Sequence, residues 1–275
     1  MVSESLIGFI YKENSRQALD LVTAVVEEFG LAKRSWVLSS PDLRVDNSNL
    51  GVTSLIVVAG GDGTILKIAG ISAIHKIPIV GINLGRVGFM SEIEPGEIKS
   101  KLGKYISLDT RLEKRLMLEV DISGSSKLGL HALNDVVISH SIVGNLIDLS
   151  IKVDDVFIDE YRADGVIIAS PTGSTAYAFS AGGPIIYPEA DNILVQPLVP
   201  HMKIGRGMVV SGESKVEVGI TNSSEAIMTV DGKQYKTPLI QNDVVTVAKS
   251  PHVVTFLRDK DPKAFYKDLF EFLSI

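Results

Sequence analysis

One run, Leu55–Thr64, constrains the fold of this chain more than any other segment. Its first five residues are apolar and mostly β-branched, which predicts a buried strand over Leu55–Ala59. Glycines at positions 60, 61 and 63 end the strand, and Ile65–His75 is predicted to form a helix. Because glycine has no Cβ, backbone N–H groups can approach a ligand closely there, and the start of the helix directs partial positive charge to the same point. The turn is therefore predicted to bind an anion such as phosphate.

A carboxylate, Asp62, lies inside this anion-favouring turn. It would repel a phosphate unless it bound a metal or accepted a proton from an attacking hydroxyl. Its presence therefore favours phosphoryl transfer over simple nucleotide binding. The alternative is a tight strand-to-helix turn in which Asp62 is the N-cap of the helix.

Composition narrows the class of protein. The chain has 275 residues, enough for one large domain or two ordinary ones. It has no cysteine, which excludes a disulfide framework and a thiolate metal site. A net charge of −6 without a basic run argues against nucleic acid as a partner. No apolar stretch approaches the ~18 residues of a membrane span, and the first residues lack the basic flank of a signal peptide. We therefore expect a cytoplasmic protein with no membrane partner.

The hydrophobic pattern changes near residue 106. Residues 1–105 alternate strands with helices, which predicts an α/β domain with a parallel, helix-flanked sheet and a ligand at the carboxyl ends of its strands. Residues 106–257 carry short β-branched runs separated by turn signals, which predict a mainly β domain of layered, sandwich-like sheets. Residues 258–275 contain a C-terminal helix over Pro262–Leu273, which either packs back on the first domain or caps the chain.

Three later segments combine glycines and polar groups that suit a nucleotide. Asn83–Phe89 follows the next strand, and Phe89 offers an aromatic face to a base, although the spacing matches neither a Rossmann fingerprint nor a Walker A loop. The pair Asn134-Asp135 can hold a ribose diol. Asp164–Tyr177 places several hydroxyls in one turn after a buried strand. Taken singly, these segments also fit a core aromatic, an ordinary turn and a helix cap.

In this order, the segments resemble the signature of the NAD kinase family. The resembling motifs are Gly60–Thr64, Asn83–Phe89, Asn134-Asp135 and Asp164–Tyr177, and the resemblance spans roughly residues 55–235. The glycine turn alone also resembles lipid kinases, but the Ser/Thr-Gly-Ser-Thr-Ala-Tyr run separates the chain from them. Two positions depart from the family pattern: Asp135 replaces the usual Glu, and Arg206 is followed by Gly207 in place of Pro.

The resemblance implies phosphorylation of the 2′-hydroxyl of the adenosine ribose of NAD, giving NADP, with ATP as donor and polyphosphate as an open second donor. It implies a divalent cofactor, for which we expect Mg²⁺ with unassigned ligands, and a homodimer or homotetramer. Asp62 is the implied catalytic residue, either as proton acceptor or as the group that orders the metal. The alternative functions are a diacylglycerol- or sphingosine-like lipid kinase and a non-catalytic dinucleotide sensor.

The resemblance also assigns binding residues. Four are expected to cradle phosphates: Gly60, Gly61, Gly63 and Thr64. Thirteen are expected to contact NAD: Gly63, Phe89, Asn134, Asp135, Arg162, Asp164, Ser170, Thr172, Thr175, Ala176, Tyr177, Ser180 and Asp231.

Overall fold

The computed structural model of the chain describes residues 5–85, 88–123, 129–141, 145–202, 205–222 and 225–273. Positions 86 and 87 of the segment Asn83–Phe89, which we call the second glycine motif, thus lie outside the described residues. The chain divides into two compact units. The first contains the residues up to Lys114 and those from Val254 on, and the second is Arg115–Val253.

The first unit is built around a parallel sheet in the order β2-β1-β3-β4. The strands are β1 Leu6–Tyr11, β2 Ser35–Ser39, β3 Thr53–Gly60 and β4 Ile79–Asn83, and the helices are α1 Arg16–Glu28, α2 Asp62–His75 and α3 Ile98–Ile106. Helix α1 forms where the spacing predicts it, because Ala18, Val22 and Val25 recur at helical period and are buried. Ser15 caps its N-terminus by accepting a hydrogen bond from the Ala18 N–H at 3.2 Å.

The second unit consists of β-strands in two antiparallel layers. Among the described residues, its strands are β5 Arg111–Ile122, whose first four residues belong to the first unit, β6 Leu130–Ala132, β7 Asp135–His140, β8 Ile147–Val153, β9 Val156–Ala163, β10 Gly165–Ala169, β11 Asn192–Leu198, β12 Met208–Ser211, β13 Val216–Ile220, β14 Ala226–Val230 and β15 Lys233–Gln234, with one short α-helix, α4 Tyr177–Ser180. One layer has the order β12-β11-β10-β7-β14-β15. In the other layer β13 pairs with β8, and β8 with β9.

Alternation along the strands builds the core between these layers. Val136 and Ile138 of β7 enter the same apolar cluster as Ile151 of β8 and Val218 of β13. Val137 lies on the opposite face of its sheet, in a smaller cluster with α4. This period of two is the expected consequence of strand geometry.

The last two elements are β16 Val244–Arg258 and α5 Ala264–Leu273. The end of β16 joins the first unit through a parallel bridge from Phe256 to Ile79. Helix α5 belongs to that unit, where the Phe265 ring lies 6.1 Å from the Phe89 ring. The fold class predicted from the sequence is confirmed, although the pattern did not reveal α3, α4, β6, β9, β11, β12 or β15 and divided β16 into two strands. In the described part of the chain, none of the helices is long and apolar enough to span a bilayer.

Candidate active site

The two glycine motifs of the first unit lie at the carboxyl ends of neighbouring strands. Gly60, the last residue of β3, is paired in register with Asn83, the last residue of β4. A Cβ on Gly60 would overlap the Thr64 side chain, so the close approach of strand and helix requires glycine there. The space beside Gly63 is open, and Gly63 is exposed. The backbone at this edge is therefore accessible to a ligand.

Asp62 lies in the first turn of α2, and the N-cap position is taken by Gly61. The alternative in which Asp62 is the N-cap is therefore wrong. Its carboxylate instead accepts backbone hydrogen bonds from Phe89 N–H at 2.8 Å and from Met90 N–H at 3.2 Å. A Cβ on Gly88 would lie 2.5 Å from the Asp62 Oδ1 atom. The backbone of the second motif can therefore lie this close to the carboxylate only because the residue is glycine. The second glycine motif thus fixes the orientation of Asp62.

In the second unit, three turns meet at one end of the six-stranded layer. Strand β7 begins at Asp135 there, opposite Ala169 at the end of β10, while β14 ends beside it at Val230. The next residue, Asp231, has a positive φ of 48°. Its carboxylate accepts hydrogen bonds from three successive N–H groups, those of residues 133, 134 and 135, at 2.7, 2.7 and 3.1 Å. Asp231 therefore holds the turn that carries Asn134 and Asp135.

The Asp231 carboxylate perturbs the environment of the Asp135 carboxyl. Burial, with the nearby Asp231 carboxylate as a second cause, raises the pKa of Asp135 to about 7. Burial also raises the pKa of Asp231, and its three backbone N–H donors oppose that rise. Carboxyl groups with shifted pKa values often occur at functional sites.

The raised pKa of Asp135 leads to a prediction about stability. The folded chain binds the Asp135 proton more tightly than the unfolded chain does, in which the pKa has its ordinary value of 3.8. The stability that this proton contributes is therefore fully present below pH 3.8 and is lost as the pH rises through about 7. Asp135→Asn is expected to remove this loss, which amounts to a few kcal/mol at ~1.4 kcal/mol per pKa unit. Urea unfolding at several pH values between 4 and 8 measures it. The exposed Asp20 provides a matched control, Asp20→Asn; an equal flattening in both variants would contradict the prediction.

Most hydroxyls of the Asp164–Tyr177 run are occupied within the chain. Ser170 is fully buried; its Oγ donates to the Leu133 carbonyl and accepts a bond from Gly173 N–H at 3.2 Å. Ser174 is also fully buried and accepts a bond from Ile186 N–H at 2.9 Å. A Cβ on Gly173 would overlap the backbone of Asn134. These contacts hold the turns against one another. Direct contact of Ser170 with NAD stays a prediction.

Two polar atoms beside these turns are buried without a hydrogen-bond partner among the described residues: Asn134 Oδ1 and Thr172 Oγ1. Because buried polar atoms in folded proteins are nearly always satisfied, each of these atoms marks a place where a ligand group or water is expected. Thr175 donates to the Thr172 carbonyl at 3.2 Å, and Tyr177 is 49% exposed. Ala176 is half-buried and Ser180 is exposed.

The structure does not bring Arg162 and Asp164 to this end of the sheet. They precede β10, whereas the turn with Ser170 follows it, and five extended residues span roughly 17 Å. The Arg162 side chain is exposed and lies 3.9 Å from Asp148. In the first unit, Phe89 is half-buried and packs on Phe265. The assignment of these three residues to NAD binding stays a prediction.

Comparisons with known proteins agree on one family. The ATP-NAD kinase N-terminal domain model matches residues 42–110, and the ATP-NAD kinase C-terminal domain model matches residues 133–258. A curated NAD kinase of Heliobacterium modesticaldum is 41% identical, with 92% of this chain and 93% of that protein covered. One from Clostridium botulinum is 37% identical, with 95% and 91% covered.

Solved structures show the same fold. An NAD kinase from Archaeoglobus fulgidus in complex with ATP has a TM-score of 0.79 and 28% identity, covering 98% of this chain and 99% of that one. A yeast NADH kinase complexed with NADH has a TM-score of 0.86 and 24% identity, covering 100% and 89%.

The matched domains first define a class, a phosphotransferase enzyme with an α/β and a mainly β domain. Within that class, the chain belongs to the NAD kinase family. The NAD kinase function expected from the motifs is thereby confirmed, and neither the lipid kinase nor the sensor is favoured.

Proposed function

We propose that the chain transfers the γ-phosphoryl group of ATP to the 2′-hydroxyl of the adenosine ribose of NAD, giving NADP and ADP. One observation carries the proposal: a carboxylate, Asp62, is held by two backbone N–H groups at the start of a helix whose glycine turn is open to an anion. ATP as donor is supported by the ATP bound to the Archaeoglobus fulgidus relative. NAD as acceptor is supported by the names of the curated relatives.

Asp62 accepts the hydroxyl proton in the proposed reaction. The 2′-oxygen forms a bond to the γ-phosphorus, the bond from that phosphorus to the β–γ bridging oxygen breaks, and ADP leaves with the electron pair. Positioning and charge neutralisation supply most of the rate in phosphoryl transfer. The N–H bonds from Phe89 and Met90 serve this purpose, because they fix the carboxylate oxygens before substrate binds.

Phosphates are assigned to the open backbone of the glycine turn, at Gly60, Gly61, Gly63 and Thr64. Asn134 and Asp135 are assigned to a ribose of NAD. The unsatisfied Asn134 Oδ1 supports this assignment, since a ribose hydroxyl is a suitable donor to it. Thr172, whose Oγ1 is likewise unsatisfied, is assigned to the same ligand.

Mg²⁺ is the divalent cofactor we propose. The described residues hold no group of three or more potential metal-ligating side chains, so they form no all-protein cage. Mg²⁺ is usually bound through one or two carboxylates together with substrate phosphates, and Asp62 would be such a carboxylate in the alternative in which it orders the metal instead of accepting the proton. When bound, the ion neutralises phosphate charge. We further propose a homodimer or homotetramer; the expected cytoplasmic location stays a prediction.

A direct assay tests the function. Purified protein is incubated with NAD, Mg²⁺ and either ATP or polyphosphate, and NADP is measured with an NADP-specific dehydrogenase. NADP formation with ATP is expected, and EDTA is expected to abolish it. Binding of NAD without NADP formation would favour the sensor, and phosphorylation of diacylglycerol or sphingosine alone would favour the lipid kinase.

Tyr177 and Thr175 are assigned to the part of the site that binds NAD, which we call the dinucleotide subsite. Tyr177→Ala and Thr175→Ala are expected to raise KM for NAD more than KM for ATP, by about tenfold for Tyr177 if its exposed ring stacks on a base. Steady-state kinetics with each substrate varied measures both constants. Tyr266→Ala, at another exposed tyrosine, provides the control. A larger rise for ATP would show that the two subsites are assigned in reverse.

A further inference from the structure

The first unit contains a buried ionic cluster that the proposed reaction does not use. Arg258, the last residue of β16, has a side chain that is 7% exposed. Its guanidinium lies 3.0 Å from a Glu92 carboxylate oxygen and 3.2 Å from one of Glu113. Burying charged groups in this way carries a large desolvation cost, and pairing alone often fails to recover it. Ion pairing alone therefore does not account for this cluster.

Arg258 also binds the backbone of the last residue of the second glycine motif and of the two residues that follow it. Its Nη2 atom donates to the Phe89 carbonyl at 3.2 Å, and its Nη1 atom donates to the carbonyls of Met90 and Ser91, each at 3.2 Å. Three successive carbonyls thus converge on one guanidinium. The planar fork of arginine suits this arrangement, whereas the single ammonium of lysine does not reproduce it.

Two of these residues connect Arg258 to Asp62. Phe89 and Met90 each donate their N–H to the Asp62 carboxylate and each direct their carbonyl to Arg258. The two residues are therefore held at one side by a negative charge and at the other by a positive one. The Phe89 carbonyl and the Met90 N–H belong to one peptide group, so the hydrogen bonds at its two ends polarise and strengthen each other.

We infer that Arg258 is a positioning residue for Asp62: by fixing the carbonyls of residues 89–91, it directs the Phe89 and Met90 N–H groups at the catalytic carboxylate. This inference rests on the proposed function only for the role of Asp62 in the reaction. The contacts that position Asp62 stand on their own.

The surroundings keep the Arg258 guanidinium charged. Burial alone would lower the pKa of Arg258, but Glu113 and Glu92 raise it above its usual value. Glu92 accepts hydrogen bonds from Tyr105 Oη at 3.0 Å and from Asp259 N–H at 2.9 Å. Burial, followed by the Glu92 charge, raises the pKa of Tyr105, so this donor keeps its proton. Arg258 is thus a permanent cation with a fixed direction.

Amide hydrogen exchange tests the positioning without any need for activity. In ¹⁵N-labelled protein, Arg258→Lys is expected to raise the exchange rates of the Phe89 and Met90 amides by about tenfold, the equivalent of one lost hydrogen bond. Asp62→Asn is expected to raise the rate of whichever of the two amides loses its acceptor oxygen, and Arg258→Lys in that background is expected to add little at that amide, because neighbouring residues that act through one contact are non-additive. Tyr105→Phe, which weakens the same cluster without touching residues 89–91, is the matched control.

Kinetics then tests the consequence for the reaction. Arg258→Lys is expected to lower kcat for NADP formation by about 10- to 100-fold, since small misplacements of a reacting group have effects of this size, while KM for NAD changes much less. Tyr105→Phe is expected to lower the melting temperature without a fall in kcat that exceeds the change in KM for NAD. If Arg258→Lys does not fold, Arg258→Gln combined with Glu113→Gln removes the positive charge and one buried carboxylate together and is measured in its place.

Unchanged exchange at Phe89 and Met90 in a folded Arg258 variant would overturn the inference. So would an equal increase throughout the first unit in both the Arg258 and Tyr105 variants, which would indicate general loosening. If the wild-type chain makes no NADP while the two amides respond as expected, the proposed function fails and the positioning of Asp62 stands.

Discussion

Asp62→Asn is expected to abolish NADP formation while leaving NAD binding nearly intact. Loss of a general base typically costs 10²- to 10⁴-fold in rate, and the asparagine side chain cannot take up the hydroxyl proton. Turnover is measured with the coupled assay, and NAD affinity is measured by calorimetric titration. A loss of this size with unchanged affinity would assign Asp62 to the chemical step.

The contacts of Asp62 require controls for this experiment. An asparagine offers one acceptor oxygen where the carboxylate offers two, so either the Phe89 or the Met90 N–H loses its partner. Arg258→Lys disturbs the same loop and keeps the carboxylate, so a much larger loss in Asp62→Asn separates chemistry from loop position. Glu94→Gln makes the same isosteric change at a carboxylate that binds Asn83 at 3.0 Å, and its activity is expected to stay within a few-fold. Near-normal turnover in Asp62→Asn would show that another residue accepts the hydroxyl proton.

Asp231→Ala is expected to weaken NAD binding by about 100-fold or more and to destabilise the second unit. Its carboxylate is the acceptor for three successive N–H groups, and each buried donor left without a partner costs about 1–3 kcal/mol. Because those donors belong to the turn that carries Asn134 and Asp135, that turn loses its fixed shape. Calorimetric titration of NAD and thermal unfolding measure the two effects.

Asp231→Asn distinguishes support of the turn from direct contact with substrate. Asp231 Oδ1 accepts from Asn134 and Asp135, and Oδ2 accepts from Leu133. An asparagine oxygen at the first position keeps two of the three bonds, so an intermediate loss of both affinity and melting temperature is expected. If Asp231 instead touches NAD itself, affinity falls without a matching loss of stability. Asp243→Ala, at an aspartate that caps an exposed turn through Ile240 N–H, provides the control.

Local pattern was sufficient to predict the architecture. The β-branched run ending at Gly60 predicts a buried strand, and the helical spacing of Ala18, Val22 and Val25 predicts α1; both depend on neighbours along the chain. Helix α3 was not predicted, and its short sequence, Ile98–Ile106, is stabilised by burial of Leu102 and Tyr105 against residues far away in sequence.

The candidate site, like the fold, was predicted only in part from the sequence. Two features stand out in the sequence because each combines unusual residue types over a few positions. They are the glycine turn that contains Asp62 and the Asn134-Asp135 pair. Sequence could not show that Ser170 and Ser174 use their hydroxyls within the chain, because their partners, Leu133 and Ile186, are identified only by the fold.

The sequence by itself determined the family, the order of the motifs and the presence of a carboxylate in a glycine-rich turn between a strand and a helix. Only the tertiary structure decided what orients that carboxylate. Arg258 is separated by 167 positions from Ser91, whose carbonyl it binds, and no local pattern encodes such a contact. The physical reason is that hydrophobic period and turn chemistry act between near neighbours, whereas buried charges find their partners only where the packed chain brings them together.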